Sequence, residues 1–124
     1  LYEEAKVPSD ASTAMSARDW HVLLALVERD LHGYGIMKAV ERDSGGKVTV
    51  EVGSLYRILD RLMEEGMVEE VDAPDHAPSE TRGRPRRYFR LAEAGQAGLR
   101  RETMRLRDAL DLARTRRLLP EPPR

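Results

Sequence analysis

Residues 82–90 carry five arginines and no acid, in the run Arg82-Gly83-Arg84-Pro85-Arg86-Arg87 followed closely by Arg90. A guanidinium presents a planar fork of donors that matches phosphate oxygens and also enters a narrow minor groove. Gly83 lets the backbone come close to a ligand, and Pro85 blocks regular pairing. The run therefore reads as a loop tip suited to a polyanion, with Arg82, Arg84 and Arg86 on phosphates. The plainer reading is a solvated loop whose arginines pair with acids elsewhere in the chain. A second set of candidate groups stands at the start of the stretch Val52–Gly66. There Ser54, Tyr56, Arg57 and, one turn on, Arg61 lie on or beside the polar face of an amphipathic helix. Ser54 and Arg57 are suited to reading base edges in a DNA major groove. Arg61 is equally placed to pair with Glu64 or Glu65.

Other chemistries find little support. Asp72, Asp75, His76 and Glu80 crowd one stretch and could hold a hard divalent ion, but they read better as a charged loop. His32 precedes a helix and reads as a cap or turn residue. No Ser, His and carboxylate group together as nucleophile and base, and Gly45-Gly46-Lys47 reads as a helix end rather than a phosphate cradle. The sequence holds no cysteine, which removes disulfides and thiolate chemistry and fits an intracellular protein. We therefore expect no catalytic residue, no metal and no cofactor. The first 15 residues lack an apolar block, so no signal peptide is read, and no apolar run approaches the roughly 18 residues of a membrane span.

Net charge is −1, but it is unevenly spread. Residues 1–80 hold 8 Lys+Arg and 17 Asp+Glu, whereas residues 81–124 hold 13 Arg and 5 acids. A local basic patch, rather than the total, decides nucleic-acid binding.

These residues need elements to hold them. Residues 1–14 show no periodicity and read as a flexible arm. Ser16 to Arg29 reads as a helix capped by Ser16, with the apolar stripe Trp20, Leu23, Leu24 and Val27. Trp20, the only tryptophan, is expected in core or dimer packing. Asp30 to Gly35 is a break, and a second helix runs from about Gly33 to Ser44 with Ile36, Met37 and Val40 inward. Lys47 to Val50 is a short extended piece. The stretch Val52–Gly66 buries Leu55, Ile58, Leu59, Leu62 and Met63, with Gly66 as a left-handed C-cap. Met67–Val71 and Arg86–Leu91 read as strands of a hairpin whose long loop spans 72–85. Residues 93–119 read as one helix of about 40 Å at 1.5 Å per residue. Its heptad-like seam of Leu99, Thr103, Leu106, Leu110 and Ala113 is expected to pack on a second copy.

Three helices followed by a hairpin form a winged helix-turn-helix, a mainly α (α+β) class, here with a long C-terminal dimerisation helix. The expected division is an arm over 1–14, a DNA-binding domain over 15–91, a dimerisation helix over 92–119 and a tail over 120–124. The stretch Val52–Gly66 falls at the third helix, the one that docks in the major groove.

Three segments, in this order and spacing, resemble the PadR family of bacterial transcriptional regulators. They are Leu31-His32-Gly33-Tyr34-Gly35-Ile36, the run from Gly53 to Gly66, and Gly83-Arg84-Pro85-Arg86-Arg87-Tyr88-Phe89-Arg90-Leu91. The resemblance covers about residues 15–110, and the single final helix is that of the shorter subfamily. It implies a homodimeric repressor bound to a pseudo-palindromic operator of double-stranded DNA. Ser54, Tyr56 and Arg57 would contact DNA from the third helix, and Arg84 and Arg86 from the wing. Tyr34 would approach a phosphate. The final helix would pack on the partner's terminal helices, and a small-molecule effector of unknown identity could release the DNA. A bacterial cytoplasmic location follows, at the nucleoid when bound, with no membrane partner. The chain departs from the family in its long wing loop, acidic at the start, and in lacking an aromatic residue on the final helix. Behind this reading stands a winged-helix module that binds protein through its wing or final helix. The mixed face of Arg57 and Arg61 against Asp60 and Glu64 leaves that alternative open. An enzyme comes third.

Overall fold

Ser16 starts the first helix of the computed structural model, which describes residues 14–75 and 87–120. Its hydroxyl accepts a hydrogen bond from the Asp19 amide at 3.1 Å, satisfying one of the free donors at the N-terminus of α1 (Ala17–Ala25). The expected helix to Arg29 ends four residues early. The amides of Leu26 and Val27 close it on the carbonyls of Leu23 and Leu24, and the turn that follows delivers Leu31 to a sheet. The buried set is Val22, Leu23 and Leu26, so Val27 faces out at 46% exposure instead of joining the core.

Strand β1 (Leu31–His32) lies in the segment expected to be a plain break. It leads directly into α2 (Gly33–Asp43), which buries Ile36, Ala39 and Val40. Gly45 and Gly46 then take left-handed φ values of 65° and 81°. The extended piece over Lys47–Val50 does not pair in the sheet. Ser44 closes that loop instead, its hydroxyl accepting from the Val48 amide at 2.9 Å, and Val50 drops into the core.

Helix α3 (Val52–Glu64) buries Leu55, Leu59 and Leu62 on one face, with Ile58 and Met63 at its margins. It stops as expected at Gly66, which takes φ 75° while the Met67 amide bonds to the Leu62 carbonyl at 2.9 Å. Strands β2 (Val68–Val71) and β3 (Tyr88–Leu91) pair antiparallel, Val68 opposite Leu91 and Val71 opposite Tyr88. Strand β1 joins the other edge of β3, with Leu31 opposite Phe89 and His32 opposite Tyr88, giving the order β1-β3-β2. Phe89, fully buried, ties the sheet to the helices. This is a winged helix-turn-helix.

Helix α4 (Glu93–Thr115) uses only its first half for this core. A side chain on Gly95 would fall on the Met67 carbonyl, and one on Gly98 would lie 2.7 Å from the Met67 methyl. Two glycines therefore let the helix sit directly on the turn after α3. Leu99 is buried here in the protomer's own core cluster. Trp20 fastens α1 to α4 by donating from Nε1 to the Thr103 hydroxyl at 3.0 Å. Beside it Glu102, itself buried, accepts from the Met15 amide and from Arg105 at 2.7 Å. The helix ends at Thr115, four residues before the expected stop. Arg117 turns left-handed at φ 62° and the Leu118 amide closes on the Ala113 carbonyl at 3.0 Å. Among the described residues no helix is long and apolar enough to cross a membrane.

Candidate nucleic-acid interface

The polar side of α3 is set by the same periodicity that buries Leu55, Leu59 and Leu62. Arg57 is exposed on it, and its Nη2 donates to the hydroxyl of half-buried Ser54 at 3.3 Å. Among the described residues Arg57 forms no ion pair. A shallow cleft of about 580 Å³ runs along this side, with Arg18, Ser54, Arg57, Asp60, Arg61 and Glu64 in its walls. Ser54 and Arg57 thus share one surface.

Arg61 is differently engaged. One of its nitrogens donates to both carboxylate oxygens of Asp19, at 2.7 and 2.9 Å, and another lies 3.8 Å from Glu65. The hydrogen bond to Asp19 raises the guanidinium's pKa above its already high value. This pair ties α3 to α1 and leaves Arg61 little charge to offer a phosphate. The acid expected as its alternative partner was on its own helix. The stronger one is 42 residues away.

Tyr56 turns toward the interior. Its ring lies 6.3 Å from that of Phe89, and its hydroxyl occupies the space that a side chain on Gly33 would take. Gly33 is not in a left-handed conformation, so close approach, rather than backbone freedom, calls for glycine in the His32-Gly33-Tyr34 turn. Tyr34, the next residue, is 61% exposed and has the Lys38 ammonium 5.6 Å from its ring centre. His32 stacks on Tyr88 at 5.3 Å across the β1–β3 pair.

The arginine cluster divides. Arg82, Arg84 and Arg86 lie outside the described residues, as do His76 and Glu80 of the acidic loop, whereas Asp72 and Asp75 are exposed. Arg87 and Arg90, counted with the cluster in the sequence, are each held by an acid. Arg87 grips Glu70 through Nε at 3.1 Å and Nη2 at 2.9 Å. Its guanidinium also lies 5.5 Å from the Tyr56 ring centre and 5.2 Å from that of Phe89. The hydrogen bond from Arg87 holds the Glu70 carboxyl below its ordinary pKa. Arg90 pairs likewise with Asp30, with contacts of 3.2 and 3.0 Å. Glu70 stands opposite Phe89, so its bond to Arg87 is diagonal, which only the strand register reveals.

On the far half of α4, Leu106 and Leu110 of the expected seam are exposed, at 38% and 47%, and Ala113 is half-buried. Met104 and Leu112 add to the exposed apolar surface. Trp20 and Leu99 instead serve contacts within the protomer, as described above. Sequence reasoning passed over Arg18. It is exposed, forms no ion pair among the described residues, and donates from Nε to the Thr49 carbonyl at 3.0 Å. Its place in the cleft follows from the Arg61–Asp19 pair that ties α1 to α3, which no local pattern shows.

Residues 22–101 match the family model described as the transcriptional regulator PadR-like family. Among solved structures, a PadR family transcription regulator from Clostridium difficile R20291 superposes with a TM-score of 0.65 at 18% identity, over 81% of this chain and 97% of that one. A PadR-like transcriptional regulator from Bacillus cereus gives 0.61 at 17% identity, over 83% and 92%. Bacillus subtilis PadR in complex with operator DNA gives 0.52 at 18% identity, over 86% of this chain and 49% of that one. Comparison with the curated proteins gives no match. At these identities the structural likeness is one of fold.

Proposed function

The chain belongs to the transcriptional regulator PadR-like family and is a DNA-binding transcriptional regulator, and we propose that it works as a homodimeric repressor. Each protomer reads one half of a pseudo-palindromic operator, the half-sites about one helical turn apart. The observation that carries this reading is the pairing on α3 of half-buried Ser54 with exposed Arg57, which forms no ion pair among the described residues. Base reading falls to these two, while Tyr34 and the wing residues Arg82, Arg84 and Arg86 bind phosphate. Tyr56 acts mainly by setting the distance between α2 and α3. Arg61 contributes through Asp19 rather than through DNA.

The family's link to DNA is supported by the operator complex of the Bacillus subtilis protein. The same reading divides the labour along the chain. Residues 15–91 contact DNA, and the segment over 92–119 joins the protomers through the far half of α4, where Leu106, Leu110 and Ala113 continue beyond the core. A small-molecule effector that releases the operator completes the repressor cycle.

Binding of the protein to a duplex from its own promoter, followed across salt concentration, tests the reading. Affinity falls steeply with salt. Arg84→Ala weakens all sequences alike, whereas Arg57→Ala relaxes choice at one base pair by about 1–3 kcal/mol. Binding that ignores salt, or no binding to any duplex, defeats the proposal. Selection of duplexes from a random pool, with and without candidate ligands, then identifies the operator and tests release.

A further inference from the structure

A guanidinium that is already neutralised by a carboxylate gains little from a phosphate, whereas an exposed one without an acid is ready for it. Three arginines line the cleft beside α3, and they differ in this respect. Arg61 is taken by Asp19, with Glu65 behind it. Among the described residues Arg57 donates only to the Ser54 hydroxyl, and Arg18 only to the Thr49 carbonyl. Asp60 and Glu64 also line the cleft, but neither forms an ion pair with Arg18 or Arg57. The Thr49 bond uses Nε alone, so the two terminal nitrogens of Arg18 stay available. It also fixes the guanidinium at the loop that leads into α3, on the side where Ser54 and Arg57 stand.

The geometry points to Arg18 as an additional DNA contact, binding a backbone phosphate at the edge of the groove that α3 enters. The residue precedes the segment matched by the family pattern, which begins at residue 22. The ligand is a phosphodiester rather than a base edge. Thr49 holds Arg18 at the mouth of the cleft, while Ser54 and Arg57 sit on the helix that enters the groove. Each phosphate neutralised by an arginine releases condensed counterions and steepens the salt dependence. This inference rests on the DNA-binding reading above.

The test compares wild type with Arg18→Ala, Arg18→Gln and Arg18→Lys on an operator duplex and on an unrelated duplex, across salt. Loss of the charge weakens both duplexes by the same factor. It also reduces the slope of log affinity against log salt by about 0.9, so the loss of affinity between about 50 and about 200 mM salt becomes roughly threefold smaller. Arg18→Lys keeps the slope of wild type. Arg18→Gln retains a donor for the Thr49 carbonyl, so it reads the charge separately from the support of the loop and serves if the alanine variant unfolds. An unchanged slope in the neutral variants, or a loss confined to the operator, overturns the inference and leaves Arg18 as a loop fastener only. No binding by wild type to either duplex overturns the DNA reading and this inference with it.

Discussion

Gly33 and Tyr56 make a pair whose coupling can be calculated and measured. A Cβ on Gly33 would fall on the Tyr56 hydroxyl and lie 3.0 Å from Cζ, with a Leu55 methyl at 3.5 Å. Overfilling a packed site costs about 1–3 kcal/mol. Replacing glycine at an ordinary backbone conformation returns about 0.4–1 kcal/mol by restricting the unfolded chain. Gly33→Ala is therefore expected to destabilise by about 1–2 kcal/mol, lowering the melting temperature by about 4–8 °C for a chain of this size. Tyr56→Phe removes the nearest atom and, with no hydrogen bond to lose among the described residues, stays within about 0.5 kcal/mol of wild type. The double variant recovers part of the loss, a coupling of about 1 kcal/mol. The residual cost reflects the 3.0 Å approach to Cζ. Urea denaturation of the four proteins gives these values, and duplex binding gives a functional readout. Because Tyr56 lies on α3, Gly33→Ala should weaken operator binding more than binding to unrelated DNA. A Gly33→Ala protein as stable as wild type, or strictly additive effects in the cycle, would refute the argument that proximity demands this glycine.

Three further outcomes follow. Leu106→Glu combined with Leu110→Glu should yield a monomer by sedimentation, and a dimer that survives both charges places the interface elsewhere. Arg61→Ala should cost about 1 kcal/mol, because Asp19, whose side chain is 14% exposed beside Arg61, loses that partner, while the salt slope of DNA binding stays at the wild-type value; a reduced slope returns Arg61 to the DNA surface. Glu102 is held below its usual pKa by Arg105 and by the Met15 amide, as Glu70 is by Arg87. A carboxyl whose pKa is lower in the folded state stabilises it above the unfolded value of about 4.3 and loses that contribution as pH falls through the folded value. Stability should therefore decline on acidification below about pH 4.3, and Glu102→Gln should flatten that decline; an equally steep acid limb in the variant contradicts the assignment.

Local periodicity made much of this architecture legible before any coordinates. Leu55, Leu59 and Leu62 mark the buried face of α3, Gly66 marks its end, and the strands on either side of the long loop are two residues or fewer from their expected limits. What escaped depends on partners distant in sequence. Strand β1 has two residues and exists because Phe89 and Tyr88 stand beside it, 58 and 56 positions further on. The inward face of α1 is Val22, Leu23 and Leu26, a phase fixed by its crossing of α4 through Trp20 and Thr103. The arginines were the hardest to read. Arg87 and Arg90 look identical in sequence to Arg84 and Arg86, yet the sheet hands them Glu70 and Asp30. Arg61 escapes for the same reason, since its strongest partner, Asp19, stands on another helix.

The seating of α4 on the Met67 turn has a mechanical meaning. Gly95 and Gly98 remove the padding that side chains would supply, so the helix leaves the core like a bar bolted at one end. From Gly98 to Thr115 it extends by about 25 Å. Over that arm a tilt of one degree at the bolt becomes a displacement of about 0.4 Å at the tip. In a dimer joined near the tips, small changes at Met67, the residue that follows the cap of α3, are converted into larger changes in the gap between the two reading helices. That gap has to match a duplex repeat of about 34 Å. Operator spacing would then be tuned from the base of the lever, by substitutions that touch neither DNA nor the partner.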